Sequence, residues 1–282
     1  MAHRCSKGKT IKKELKDAAA AAEDVSNSRT FVIAARTGFA VSGILHILIG
    51  AIAIRLAFGG GGEADQGGAM AQLAMQPGGA ILLWIAAIAC AALALWQVSE
   101  VVFGYGQLDS KAKLGKKLSA AGQAVVFLAL AVAFASFALG SGKDSGQSTS
   151  DASAQILKAP AGPLLLIVIG VAVATVGITF GIRGINRSFK KVLSLPASGT
   201  ARSVATFLGM VGYLAKGIVL FLVGLLFVIA TVESRPNEST GLDGALKAVR
   251  EQPFGIYLLT LIGAGLICYG LYQIIKARFV RM

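Results

Sequence analysis

The sequence is poor in charge, in cysteine and histidine, and in strict apolar–polar alternation. Only 15% of its 282 residues are charged, too few to line amphipathic helices and strands along a soluble chain of this length. Three cysteines (Cys5, Cys90 and Cys268) do not make a disulfide framework, and Cys90 and Cys268 fall inside apolar stretches as small fillers. With only two histidines, His3 and His46, a zinc site of the usual His/Cys composition is not expected. Nucleophile–base sets, paired carboxylates and ligand clusters are all missing. The chain is therefore read as a non-enzyme without a cofactor. No apolar core precedes Gly38, so no signal peptide is expected; Lys9–Val25 reads as a short helix of Lys, Glu and alanines. Cys5 likewise lacks the apolar segment that a lipoprotein signal needs.

What the chain has instead is apolar blocks, since 55% of its residues are hydrophobic. Six stretches of about 20 residues each are long enough to cross about 30 Å of hydrocarbon as helices. They lie near Gly38–Phe58, Gly79–Phe103, Leu118–Leu139, Pro163–Arg183, Phe207–Val232 and Phe254–Lys276. A membrane barrel would need alternating strands of about ten residues, which Ala-Leu-Gly-Ile blocks do not supply. The fold class is all-α: a polytopic membrane protein with six transmembrane helices.

The net charge of +13 is unevenly placed. Twenty basic residues flank one set of helix ends, six (Arg55, Lys143, Lys158, Arg235, Lys247 and Arg250) lie in the opposite loops, and Lys216 sits within a span. By the positive-inside rule both termini are cytoplasmic, and the basic side is drawn to a bilayer with anionic headgroups. No aromatic residues interleave with these charges outside the membrane, so no nucleic-acid partner is expected.

The blocks form a hairpin written three times. In each, an apolar helix leads through a polar loop to a proline (Pro77, Pro160 and Pro253), with glycine two residues later (Gly79, Gly162 and Gly255). The divisions are a basic N-terminal tail (1–35) and hairpin repeats at 36–104, 115–187 and 204–280. Gly43, Gly122 and Gly217 are equivalent in the leading helices, followed by Gly50, Ala129 and Gly224; Ala87, Gly170 and Gly263, then Ala94, Gly177 and Gly270, are equivalent in the second helices. A spacing of seven puts such small residues on one face, where helix backbones approach closely. Short amphipathic segments precede the prolines (Ala69–Met75, Ser153–Lys158 and Asp243–Glu251), with Asp243 a fair N-cap. Three parallel copies suggest hairpins around a pseudo-threefold axis along the membrane normal. The glycine-rich leading helix, the proline–glycine turn and the basic end of the second helix resemble the domain of unknown function 1206 family. The resemblance covers residues from about 30 to 282. It implies a bacterial plasma-membrane protein of this three-hairpin form, and it supplies no functional residues.

A few intramembrane polar residues need a reason. Lys216 costs about 2.5–3.5 kcal/mol at a bilayer centre. It is read as snorkelling to the headgroups or held in an ion pair, with contact to an ion or substrate as the alternative. His46 is placed near the midplane, either as a proton relay or as a neutral imidazole bonded to a neighbouring helix. Glu100, Arg183 and Lys276 each lie 23 residues after their prolines. They form either a mixed-charge clamp between hairpins or three independent interfacial charges. Gln97 and Gln273 are equivalent, one turn earlier, and suited to interhelical hydrogen bonds. Two functions remain: an accessory or scaffolding component of a membrane complex, packed on a partner or on its own copy, or a small-solute channel or transporter. The second requires His46, Gln97, Gln273 and Lys216 to meet in one wet cavity. The sparse polar inventory favours the first.

Overall fold

The computed structural model describes residues 29–103, 110–143, 145–192, 199–233 and 241–279. The readings of His3, Cys5 and Lys9–Val25 lie outside the described residues. Six long helices occur among them: α1 (Arg29–Ala57), α3 (Gly79–Phe103), α4 (Ser110–Ala138), α6 (Gly162–Ile185), α7 (Thr200–Val232) and α9 (Gly255–Phe279). Between the two long helices of each hairpin lies a short one: α2 (Gln66–Ala74), α5 (Ser145–Leu157) and α8 (Gly241–Arg250). A 3-10 turn, Ser188–Val192, follows α6. The apolar spans run from 22 to 31 residues, more than the roughly 20 that cross a bilayer. Only 17% of the most apolar window of α6 is buried, and its outward residues include Leu164, Val168, Val171 and Ile178. A face this apolar suits lipid. The protein is a polytopic α-helical membrane protein.

The proline turns have one construction in all three copies. The amide of Gly79 donates to Gln76 O, that of Gly162 to Ala159 O and that of Gly255 to Gln252 O, at 2.8–2.9 Å. Each is a β-turn with proline at its second position and glycine at its fourth. Glycine is required there because a Cβ would overlap a carbonyl from the last turn of the short helix: Leu73 O, Ile156 O or Arg250 O. The residue after proline is left-handed in the first and third turns (Gly78, φ 77°; Phe254, φ 62°).

The chain divides into two packed units. Among the described residues, the larger holds 39–83, 136–143, 145–192, 199–233 and 241–279 and the smaller 29–38, 84–103 and 110–135. Glycines build the helix seams of the larger unit. A methyl on Gly43 would stand 2.7 Å from Gly270 O, and one on Gly263 would stand 2.7 Å from Gly50 O. The same exchange joins α7 to α6, where a Cβ on Gly177 would meet Gly217 O at 2.7 Å and one on Gly170 would meet Gly224 O at 2.8 Å. Gly184 extends this seam one heptad further, against Met210 and Tyr213. The equivalent glycines therefore do pack, but across repeats. The leading helix of repeat 1 lies on the second helix of repeat 3, and that of repeat 3 on the second helix of repeat 2. The gain is dispersion contact that bulkier side chains would forfeit.

The middle copy departs from the expected pattern. Gly122 is exposed, with nothing within 4 Å of a Cβ placed on it. The buried stripe of α4 is Ala120, Ala124, Ala131 and Phe134 instead, a helical period that turns Gly122 away. Alanine has replaced glycine here as the contact residue.

The short helices also differ from expectation in two places. Helix α5 spans 13 residues from Ser145, well before the expected Ser153, because its Ser, Gly and Gln residues carry no apolar period. Asp243 is not an N-cap. It lies in the first turn of α8, buried, where its carboxylate accepts from the Ala64 amide at 2.9 Å and pairs with Lys247. The capping carboxylate is Asp65, which accepts from Gly68 N at 2.8 Å and starts α2. Asp243 thus ties the start of repeat 1's loop helix to that of repeat 3.

Candidate functional site

Two costly polar residues of the larger unit, His46 and Lys216, meet at one place. His46, on α1, is 8% exposed, and its Nδ1 lies 2.7 Å from Ser42 O, one turn back. Side chains on a helix lean toward its N-terminus, so this bond follows from the local geometry. A carbonyl only accepts, so Nδ1 carries the proton and Nε2 offers its lone pair. Facing that lone pair, 3.1 Å away, is the Lys216 Nζ of α7. The ammonium also lies 4.4 Å from the centroid of the Tyr269 ring and 5.3 Å from that of Phe180, with a long contact of 3.5 Å to the Tyr269 hydroxyl. Four elements contribute: α1, α6, α7 and α9. A proton on Nε2 would set two cations against each other, so the stable pairing is a neutral imidazole accepting from an ammonium.

Lys216 does not reach for headgroups, and among the described residues it has no acidic partner. Its charge is held by a lone pair and two aromatic faces. His46 bonds within its own helix rather than to a neighbour's backbone. Toward the basic end, the site continues into an aromatic cluster. Tyr213 stacks on Phe180 and Phe189, and Tyr269 and Tyr272 meet it edge-on at 5.4 and 5.5 Å. Tyr272 is fully buried. Such ring pairs contribute about 0.5–1.5 kcal/mol each beyond burial.

The remaining sequence candidates do not share the His46–Lys216 hydrogen bond. Gln97, in the smaller unit, donates to Gln123 Oε1 at 2.5 Å, and Gln123 in turn donates to Ser119 Oγ at 3.2 Å. This joins α3 to α4, again the second helix of one repeat to the leading helix of the next. Gln273 is 6% exposed, and its Oε1 has no hydrogen-bond partner among the described residues. Lys276 places its ammonium 4.1 Å over the Phe39 ring. Among the described residues, neither Glu100, Arg183 nor Lys276 makes an ion pair.

A family model described as a domain of unknown function, DUF1206, matches the chain three times, at residues 37–104, 118–187 and 211–280. The chain belongs to the DUF1206 family. A relative described as "Uncharacterized protein YxxB", from Bacillus subtilis (strain 168), is 28% identical over 249 residues, covering 88% of this chain and 90% of the relative. No solved structure matches it.

Within this DUF1206 chain, sequence reasoning missed Tyr269, Phe180, Gln123 and Ser119. Tyrosines 269 and 272 flank Gly270 at helical spacing, a signal that aromatic residues line the same seam. Gln123 beside Gly122 is a polar residue in an apolar span, as informative as Gln97. The match to DUF1206 covers the helices that carry all of these residues.

Proposed function

We propose that this protein is an accessory or scaffolding component of a membrane complex, in a bacterial plasma membrane with its basic end cytoplasmic. The observation that carries this reading is the glycine seams. At Gly43, Gly50, Gly170, Gly177, Gly217, Gly224, Gly263 and Gly270 the opposing backbones leave no room for a methyl group. Seams this close leave no room for a lined passage between the helices that they join, which supports a packing role. Two polar pairs bond one another: His46 with Lys216 in the interior, and half-buried Gln97 with exposed Gln123. Neither pair turns an array of donors and acceptors toward a solute, which a transporter needs in place of the solute's hydration shell. Broad apolar faces, on α6 above all, remain for lipid or a membrane partner.

A second reading, a small-solute path, is favoured by one observation. Among the described residues, Gln273 Oε1 is an open buried acceptor in a unit that also holds Lys216 with no acidic partner. The experiment is extraction into native-lipid nanodiscs at chromosomal expression level, followed by mass measurement of the tagged particle. A partner at fixed stoichiometry that survives Lys216→Met supports the accessory role. A particle carrying this chain alone, with Lys216-dependent solute flux after reconstitution, would replace it with the second reading.

A further inference from the structure

We propose that a pocket at the basic end of α6 and α7 holds the phosphodiester of an anionic phospholipid. The pocket has a volume of about 340 Å³ and is lined by the cations Arg187, Lys190 and Arg202, with Ser203 and Thr206 between them. Phe207 and Met210 close its apolar side, and among the described residues no acidic one lines it. The chain has no Asp or Glu anywhere from residue 152 to residue 232.

The surrounding fold builds this arrangement. Helix α6 ends where Asn186 N donates to Ile182 O and Arg187 N to Gly184 O. Arg187 then takes a left-handed backbone, φ 51°, a position that glycine fills without strain. An arginine here keeps a guanidinium at the pocket at the expense of backbone comfort. The 3-10 turn that follows is pinned by Phe189, whose ring occupies the space that a side chain on Gly209 would need. Phe189 also stacks on Tyr213, with centroids 5.2 Å apart. Lys190 and Arg187 are thereby fixed against the first turns of α7. Thr206 Oγ1 donates to Arg202 O at 2.7 Å, so the Ser203 hydroxyl is the better neutral donor to an anion.

Position decides between a lipid phosphate and a free one. The apolar span of α6 ends at Ile185 and that of α7 begins at Arg202, so the cations stand where headgroups lie. Ile185, Val204 and Phe207 are exposed beside them, a surface suited to acyl chains. Basic pockets between spanning helices recognise anionic headgroups by this combination of charge and apolar wall.

The test uses the full chain in detergent, with native mass spectrometry in equimolar phosphatidylglycerol and phosphatidylcholine of equal chain length. The wild type is expected to retain phosphatidylglycerol preferentially. Each charge removed should lower that retention about fivefold, so Arg187→Gln with Arg202→Gln erases the preference. Lys158→Gln, outside the pocket, leaves it unchanged. Arg187→Gly separates ligand binding from folding: its melting temperature should rise as the left-handed strain is relieved, while phosphatidylglycerol retention falls. Equal retention of the two lipids by the wild type, or retention unaltered in the double variant, overturns the proposal. Stabilisation by inorganic phosphate as large as that by phosphatidylglycerol, and lost in the double variant, assigns the pocket to free phosphate and also overturns it.

Discussion

Adding one methyl group to the α6–α7 seam tests how tightly the glycines close it. In Gly217→Ala the new Cβ would lie 2.7 Å from Gly181 N, 2.8 Å from Gly177 O and 3.1 Å from Gly181 Cα. All three are backbone atoms of α6, so no side chain can swing aside. Ordinary contact begins at 3.4 Å, and the seam must open by about 0.7 Å locally, enough to forfeit a quarter to a half of each nearby dispersion contact. Overpacking of this kind costs about 1–3 kcal/mol, offset by up to ~1 kcal/mol of helix propensity. The net expectation is a loss of up to about 2 kcal/mol. Gly122→Ala is the internal control, because nothing lies within 4 Å of its Cβ; it keeps the propensity gain alone. The propensity gain is common to both variants, so they differ by the overpacking cost of about 1–3 kcal/mol; at about 2–4 °C per kcal/mol for a chain near this size they should melt roughly 2–12 °C apart. The assay is loss of helical circular dichroism on heating in one detergent. Equal melting temperatures would refute the seam argument, because the two substitutions differ only in what the methyl group meets.

Three other expectations follow from the same geometry. A double-mutant cycle of His46→Leu and Lys216→Met should give a coupling of about 1–2 kcal/mol in detergent unfolding; zero coupling would remove the 3.1 Å contact from the account. Asp243→Ala should destabilise by about 1–3 kcal/mol because it orphans the buried Ala64 amide, whereas Lys247→Ala, whose side chain is 50% exposed, should cost under about 0.5 kcal/mol. Phe254→Gly should raise the melting temperature, since it relieves about 1 kcal/mol of left-handed strain at a side chain already 77% exposed.

Much of the fold was legible because a bilayer leaves few options. Six charge-poor blocks and three proline–glycine turns are local patterns, and each became the element it predicted. The heptad spacing of small residues fixed which face packs, but a period carries no information on the partner. Gly43 could not announce Gly270, and the pairing across repeats appears only in three dimensions. Gly122 shows the converse: it keeps the register of Gly43 and Gly217, yet α4 buries the face of Ala120 and Ala124. Asp243 has the local look of an N-cap, but its carboxylate serves an amide 179 residues away in sequence. The candidate site was half legible. Lys216 and His46 were marked by what burial costs them. Their contact spans 170 residues, and the tyrosine beneath the ammonium is an apolar-looking residue in a run of apolar ones.

The central claim is that the seams close and that the Lys216–His46 contact is structural. The most direct measurement is ion flux through proteoliposomes holding the wild type or Lys216→Met, loaded with pH- and halide-sensitive dyes. The account expects both to leak no faster than protein-free vesicles. A wild-type flux that disappears in Lys216→Met would contradict it and place a conducted ion at that ammonium.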